Sequence, residues 1–129
     1  MTLTVFLVDD NRTFLSAACG ALATVEGVVV VGHAVCGRDA LVQIELHKPD
    51  MVLLDVGLPD ISGIEVGLQL RTWAKPPRII FVSLHDEAHF TAVLQQASGE
   101  GYVNKANFVT ELLPLLESVS GSANWNAHP

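Results

Sequence analysis

Several kinds of residue are scarce in this sequence, and each shortage excludes something. Its 129 positions hold two cysteines, one tyrosine, two tryptophans and seven basic residues. Cys19 and Cys36 form no CxxC pair, so they read as stray thiols rather than a disulfide framework or a metal site. Seven Lys and Arg stand against 14 Asp and Glu, a formal net charge of −7. Such a chain lacks the clustered cations that neutralise phosphates, which argues against direct nucleic-acid binding and against docking on an anionic membrane. Trp73 and Trp125 are too isolated for a base-stacking platform.

No apolar run approaches the length of a membrane span: Val28–Val31 stops at Gly32-His33, and Met51–Leu54 stops at Asp55. The N-terminus MTLTVFLVDD lacks the basic start of an export signal, so a reducing cytoplasm is the expected compartment. Neither G-x-G-x-x-G nor a P-loop occurs, and no G-x-S-x-G elbow surrounds Ser83. His33, His47, His89 and His128 are scattered without metal-ligand spacing.

What is abundant is apolar. Half of the residues are hydrophobic and 16% are charged, a composition incompatible with intrinsic disorder. At this length one core accounts for it.

The hydrophobic period alternates along the chain. Leu3–Val8, Val28–Val35, Met51–Leu54, Arg78–Val82 and Tyr102–Asn104 read as strands. Between and after them, Phe14/Ala18/Leu22/Val25, Ala40/Leu41/Ile44, Ile64/Leu68/Arg71, a weaker stretch at Glu87–Gln96 and Phe108/Leu112/Leu115/Leu116/Val119 carry helical spacing. Gly27 is the expected stop of the first helix, and Pro76-Pro77 bounds the third. Five strand–helix units predict an α/β fold with a parallel sheet covered on both faces, because parallel neighbours need crossovers. Pro114 conflicts with the last helix, where it removes the hydrogen bond to Thr110. The polar, aperiodic end reads as a linker or disordered tail beyond a domain of residues 1–119.

In open parallel sheets, sites form at the carboxyl ends of the strands. Asp9 and Asp10 follow the first strand, Asp55 the third, Ser83 the fourth, and Lys105 the fifth. Three carboxylates on one edge repel each other, and a hard divalent cation such as Mg²⁺ relieves this with oxygen ligands alone. With a lysine and a hydroxyl beside them, such a site can hold a phosphoryl group, and one carboxylate can act as nucleophile.

The segments VFLVDDN, VLLDVGLPDISGIE, IIFVSLHD and GYVNKA resemble the receiver domain of two-component response regulators, in order and spacing, across residues 3–119. The GLPDISG loop is similar to the family's LPxxxG element. The resemblance implies a flavodoxin-like (βα)5 three-layer sandwich with strand order 2-1-3-4-5. It implies that Asp55 accepts a phosphoryl group from a sensor histidine kinase and that Asp10, Asp55 and the Gly57 carbonyl bind Mg²⁺, with Asp9 acting through water. Lys105 would pair with a phosphoryl oxygen or with Asp55, while Ser83 and Tyr102 would be the switch residues. The sequence resembles most the subfamily with a helix-turn-helix DNA-binding output domain, and receivers of this kind can dimerise on phosphorylation. Where the family usually has proline after the site lysine, this sequence has Ala106, which predicts a different path for that loop. Gly57 and His85 stand at the variable positions two residues beyond Asp55 and Ser83.

Other readings compete with these. Asp9 and Asp10 could simply favour a helix N-terminus. Ser83 could bond its own backbone, and Tyr102 could be an ordinary core aromatic. Two further functions remain in play: a Mg²⁺-dependent phosphohydrolase with an aspartyl nucleophile, and a degenerate receiver serving as a docking module. The receiver reading makes the chain no enzyme beyond its own phosphorylation and dephosphorylation.

Overall fold

Short β-branched runs pair side by side in a five-stranded sheet of order β2-β1-β3-β4-β5, with every neighbouring pair parallel. The computed structural model describes residues 2–83, 101–112, 114 and 116. Its strands are β1 (Leu3–Val8), β2 (Val28–Ala34), β3 (Met51–Asp55), β4 (Arg78–Ser83) and β5 (Gly101–Asn104). Helices α1 (Arg12–Leu22), α2 (Gly37–His47) and α3 (Gly63–Arg71) connect the first four. The α/β class and the strand order are therefore as expected. The weaker helix read at Glu87–Gln96 and the tail at 120–129 lie outside the described residues.

Because side chains alternate across a strand, the sheet divides the core in two. Leu7, Leu53, Ile80 and Val82 pack with Leu15, Ala18 and Leu22 of α1 and with Phe108, Leu112 and Leu116 on one face. Phe6, Val52, Leu54 and Phe81 pack with Ala40 and Ile44 of α2 and Val66 and Leu70 of α3 on the other. All five residues of β3 are buried, as befits the central strand of a parallel sheet.

Two helix readings need correction. Helix α1 ends at Leu22 with Ala23 as its cap, so neither Val25 nor Gly27 belongs to its end. Gly27 instead takes φ 85° just before β2, and its carbonyl accepts from Leu3 N at 2.7 Å. In α3 the buried positions are Gly63, Val66, Gly67 and Leu70, one step round from the predicted Ile64, Leu68 and Arg71. Glycines at two of the four inward positions hid that face from a search for apolar side chains.

Residues 108–112, 114 and 116 are helical, with Pro114 exposed. This helix is preceded by a 3₁₀ turn over Lys105–Asn107. Pro114 thus holds a helical position and faces solvent rather than the core.

Candidate functional site

The carboxyl ends of β1, β3 and β5 bring their polar residues to one place. Asp9 and Asp10 leave β1, and Asn11 then caps α1 by accepting from Phe14 N at 3.0 Å. That turn fixes Asp9, whose Oδ1 accepts from Asn11 N at 2.8 Å. Its other oxygen, Oδ2, lies 2.7 Å from Lys105 Nζ. The same ammonium stands 3.5 Å from Asp55 Oδ1. Lys105 therefore bridges two carboxylates, and it sits closer to Asp9 than to the Asp55 expected as its partner.

Asp9 Oδ2 is fully buried yet has no aligned hydrogen bond. The contact with Lys105 supplies opposite charge without the directed geometry of a hydrogen bond. Asp9 and Asp55 are only 2% and 6% exposed, while Asp10 faces solvent. Ligand oxygens of all three carboxylates lie within 4.8 Å of one another. An all-oxygen set of three carboxylates this close together, with one of them open to water, fits a hard divalent cation that keeps part of its water shell.

Burial pushes the Asp55 carboxyl above its ordinary range, and the neighbouring Asp9 charge pushes it the same way. Lys105 and the Gly57 backbone amide oppose that shift only partly. An aromatic wall closes the lysine's apolar side: its Nζ lies 5.0 Å from the centre of the Phe14 ring, which meets Phe108 edge-on at 5.1 Å. The sequence reading missed Phe14 as a site residue, having placed it only in the core.

The loop after Asp55 is held by contacts that motif matching does not reveal. Gly63 opens α3 against the strand end itself, its N–H donating to Val56 O at 2.8 Å. A Cβ at Gly63 would run into the carbonyl oxygen of Asp55, so only glycine permits this approach. Ser62 caps α3 by accepting from Glu65 N at 3.1 Å, a capping-box spacing. Asp60 reaches across to α2, accepting from Gly37 N at 2.7 Å and Arg38 N at 2.8 Å. Cys36, at the cap position of α2, makes no side-chain cap bond, so Asp60 provides the cap from a distant loop. The Arg38 and Gly37 amides hold its carboxyl down at about 2.

The departure at Ala106 is resolved locally. Asn104 Oδ1 accepts from Ala106 N at 2.8 Å, and Glu111 Oε1 accepts from Asn104 N at 3.0 Å. These side chains shape a 3₁₀ turn with no cis peptide bond among the described residues.

Ser83 is buried at the end of β4, in register with Asn104. Tyr102 pairs with Phe81, is half-buried, and packs on the α2–α3 side of the sheet. By strand alternation Ser83 points to that same side, which makes Tyr102 its diagonal neighbour across the β4–β5 ladder. Gly57 is exposed, with open space where a Cβ would stand.

This parallel α/β fold with an acidic pocket and a lysine at its carboxyl edge defines a class that the comparisons identify. Residues 5–117 match the family model of the response regulator receiver domain, and the chain belongs to that family. It is 34% identical over 115 residues to the response regulator GacA of Pseudomonas aeruginosa, covering 89% of this chain and 54% of that protein. It is 31% identical over 125 residues to the response regulator UvrY of Escherichia coli, covering 97% and 57%. The chain thus spans little more than half the length of these relatives. Among solved structures, the signal receiver domain of NarL from Mycobacterium tuberculosis superposes with a TM-score of 0.81 at 31% identity, covering 94% of this chain and 98% of that one. A LuxR-family two-component response regulator from Aurantimonas superposes at 0.84 with 28% identity, covering 92% and 85%.

Proposed function

We propose that this chain is a phosphorylation-driven switch that accepts a phosphoryl group on Asp55 from a sensor histidine kinase. The observation that carries the reading is a buried carboxylate beside Lys105, with two further carboxylates close enough to share a cation. An Asp55 oxygen attacks the phosphorus of a phosphohistidine, the P–N bond breaks, and the imidazole leaves with the electron pair and takes up a proton. Water later cleaves the acyl phosphate and restores the carboxylate. Asp10, Asp55 and the Gly57 carbonyl would hold Mg²⁺ directly and Asp9 through water; the ion supplies charge neutralisation at the phosphoryl oxygens. Lys105 stabilises the same oxygens and exchanges its pairing with Asp9 and Asp55 for one with the phosphoryl group.

Ser83 then donates its hydroxyl to a phosphoryl oxygen, and Tyr102, on the same side of the sheet, follows it inward. Phosphorylation in this way shifts the population of the β4–β5 surface, which governs dimerisation or contact with an output domain. Relatives about twice as long as this stretch support a C-terminal DNA-binding output domain and a role in transcription regulation. The site works in the reducing cytoplasm, where its kinase presents phosphohistidine. No helix among the described residues is long and apolar enough to cross a membrane.

The alternatives are less well supported. A phosphohydrolase with an aspartyl nucleophile typically needs an acid/base carboxylate two residues on, and Gly57 stands there. A degenerate docking module would not need the intact acidic set. Incubation with Mg²⁺ and a small phosphodonor such as acetyl phosphate, followed by intact-mass measurement, tests the proposal. One acid-labile phosphoryl group is expected on the wild type and none on Asp55→Asn. No adduct with any of several donors overturns the switch; rapid multiple turnover of a phosphate ester favours the hydrolase.

A further inference from the structure

The Lys105 ammonium lies deep in the acidic pocket, its side chain only 11% exposed. Two of its neighbours are charged, Asp9 at 2.7 Å and Asp55 at 3.5 Å. The third is not: the ammonium stands over the Phe14 ring, 5.0 Å from its centre.

One short turn sets both an acid and the ring. Asn11 N donates to Asp9 Oδ1 at 2.8 Å, and Asn11 Oδ1 accepts from Phe14 N at 3.0 Å. The cap of α1 therefore places Asp9 and Phe14 together. Phe108 meets the Phe14 ring at 81°, with 5.1 Å between centres, and so fixes its plane. Phe108 is itself buried, and it directly follows the 3₁₀ turn that carries Lys105. The two rings thus tie the exit of β1 to the exit of β5. Phe14 is half-buried and packs on the α1 face of the core, which an ordinary apolar residue could do as well. What such a residue lacks is an ammonium over its face.

We infer that Phe14 is a positioning residue for phosphoryl transfer: the face of its ring seats the Lys105 ammonium while that group exchanges the two carboxylates for a phosphoryl oxygen. The inference rests on the reading of Asp55 as the phosphoacceptor. A ring face attracts a cation without claiming a directed hydrogen bond. A carbonyl or a further carboxylate in its place would compete with the phosphoryl group for the N–H donors of the lysine. Without the ring, the cost of burying the ammonium is met by the two carboxylates alone, and the flexible lysine stem is freer to carry the charge out to water.

The test varies the charge on the ring face while keeping its shape. The full chain is prepared with phenylalanine, monofluorophenylalanine or trifluorophenylalanine at position 14, and as the Phe14→Leu and Phe14→Tyr variants. Fluorine withdraws negative charge from the face, tyrosine retains it, and leucine keeps only apolar bulk. Relaxation of the Lys105 Cε group by nuclear magnetic resonance, without Mg²⁺ or phosphodonor, reports how firmly the ammonium is seated. The rate of labelling by acetyl phosphate with Mg²⁺, followed by intact mass, reports the consequence.

The Lys105 side chain should become more mobile with each added fluorine. Labelling should slow by about fivefold with trifluorophenylalanine or Phe14→Leu and by less with one fluorine. Phe14→Tyr should recover most of the rate that Phe14→Leu loses. Equal rates across the fluorinated series, or a Lys105 side chain equally ordered in all of them, overturn the inference and leave Asp55 as the acceptor. So do rates that follow melting temperature rather than fluorine number, the mark of packing alone. No labelling of the wild type overturns the reading of the site itself, and this inference with it.

Discussion

Two aspartates stand five residues apart at opposite ends of the central strand, and the fold treats them in opposite ways. Asp50, just before β3, is surrounded by donors. Its carboxylate takes Thr4 N and Thr4 Oγ1, its own N–H donates to Thr4 Oγ1 at 2.9 Å and Thr4 O at 3.0 Å, and its carbonyl accepts from Arg78 N at 2.9 Å. It thereby ties the starts of β1, β3 and β4 together. Asp55, at the other end, is buried beside another carboxylate and shares a single lysine with it. One acid has its charge distributed over hydrogen bonds; the other keeps an ionised group where burial and like charge both oppose it. The difference separates a group whose bonds hold the fold from one kept where the fold opposes its charge, and functional sites commonly sit at such a cost in stability.

That contrast can be broken by substitution. The largest expected effect is on phosphorylation: Asp55→Asn should abolish labelling by a small phosphodonor, a loss of at least about a thousandfold read by intact mass. Next, Gly63→Ala drives a methyl group into the Asp55 backbone and should cost about 3 kcal/mol in urea unfolding, with labelling impaired in whatever remains folded. Asp50→Ala removes the two carboxylate bonds to Thr4 and should cost roughly 1–2 kcal/mol while leaving Asp55 reactive.

Asp55→Asn should shift stability the other way, raising it near neutral pH. The sign follows from the raised carboxyl: the native state holds its proton more tightly than the unfolded chain, whose carboxyl titrates at 3.8. Wild-type stability from this group therefore falls as pH rises from 3.8 through the higher native value, and the variant lacks that fall. Mg²⁺ should raise the melting temperature of the wild type and not of Asp55→Asn. If Asp55→Asn proves less stable than the wild type without Mg²⁺, the contrast with Asp50 fails.

The smallest effect concerns Asp60, whose carboxyl is held at about 2 against 3.8 when unfolded. Its contribution is complete above 3.8 and is lost as pH falls toward 2. Asp60→Asn should flatten that part of the acid-unfolding profile, measured by circular dichroism, and should loosen α2 before it affects Asp55.

Much of the fold was legible because the apolar period changes abruptly between strand and helix, and because a parallel sheet puts each strand's C-terminal residue on one edge. The candidate site was legible for the same reason, together with the unusual sum of three acids and a lysine there. What escaped had physical causes. The inward face of α3 is half glycine, so it carries little apolar signal. Asp60 caps a helix that begins 23 residues earlier, and no local pattern links an acid to amides so far away. Phe14 is one aromatic among core residues until the ammonium of Lys105 is found over its ring.

Sequence alone determined the succession of the five strands and the first three helices, and which polar residues the sheet would deliver to its carboxyl edge. Those follow from periodicity and from alternation, which are local rules. Only the tertiary structure decided that Lys105 leans toward Asp9 more than Asp55, that one oxygen of Asp9 lacks a directed partner, and that Gly63 must remain bare. These depend on distances of a few ångströms between residues far apart in the chain. In a desolvated pocket such distances set the charge balance, and packing against the rest of the molecule sets the distances.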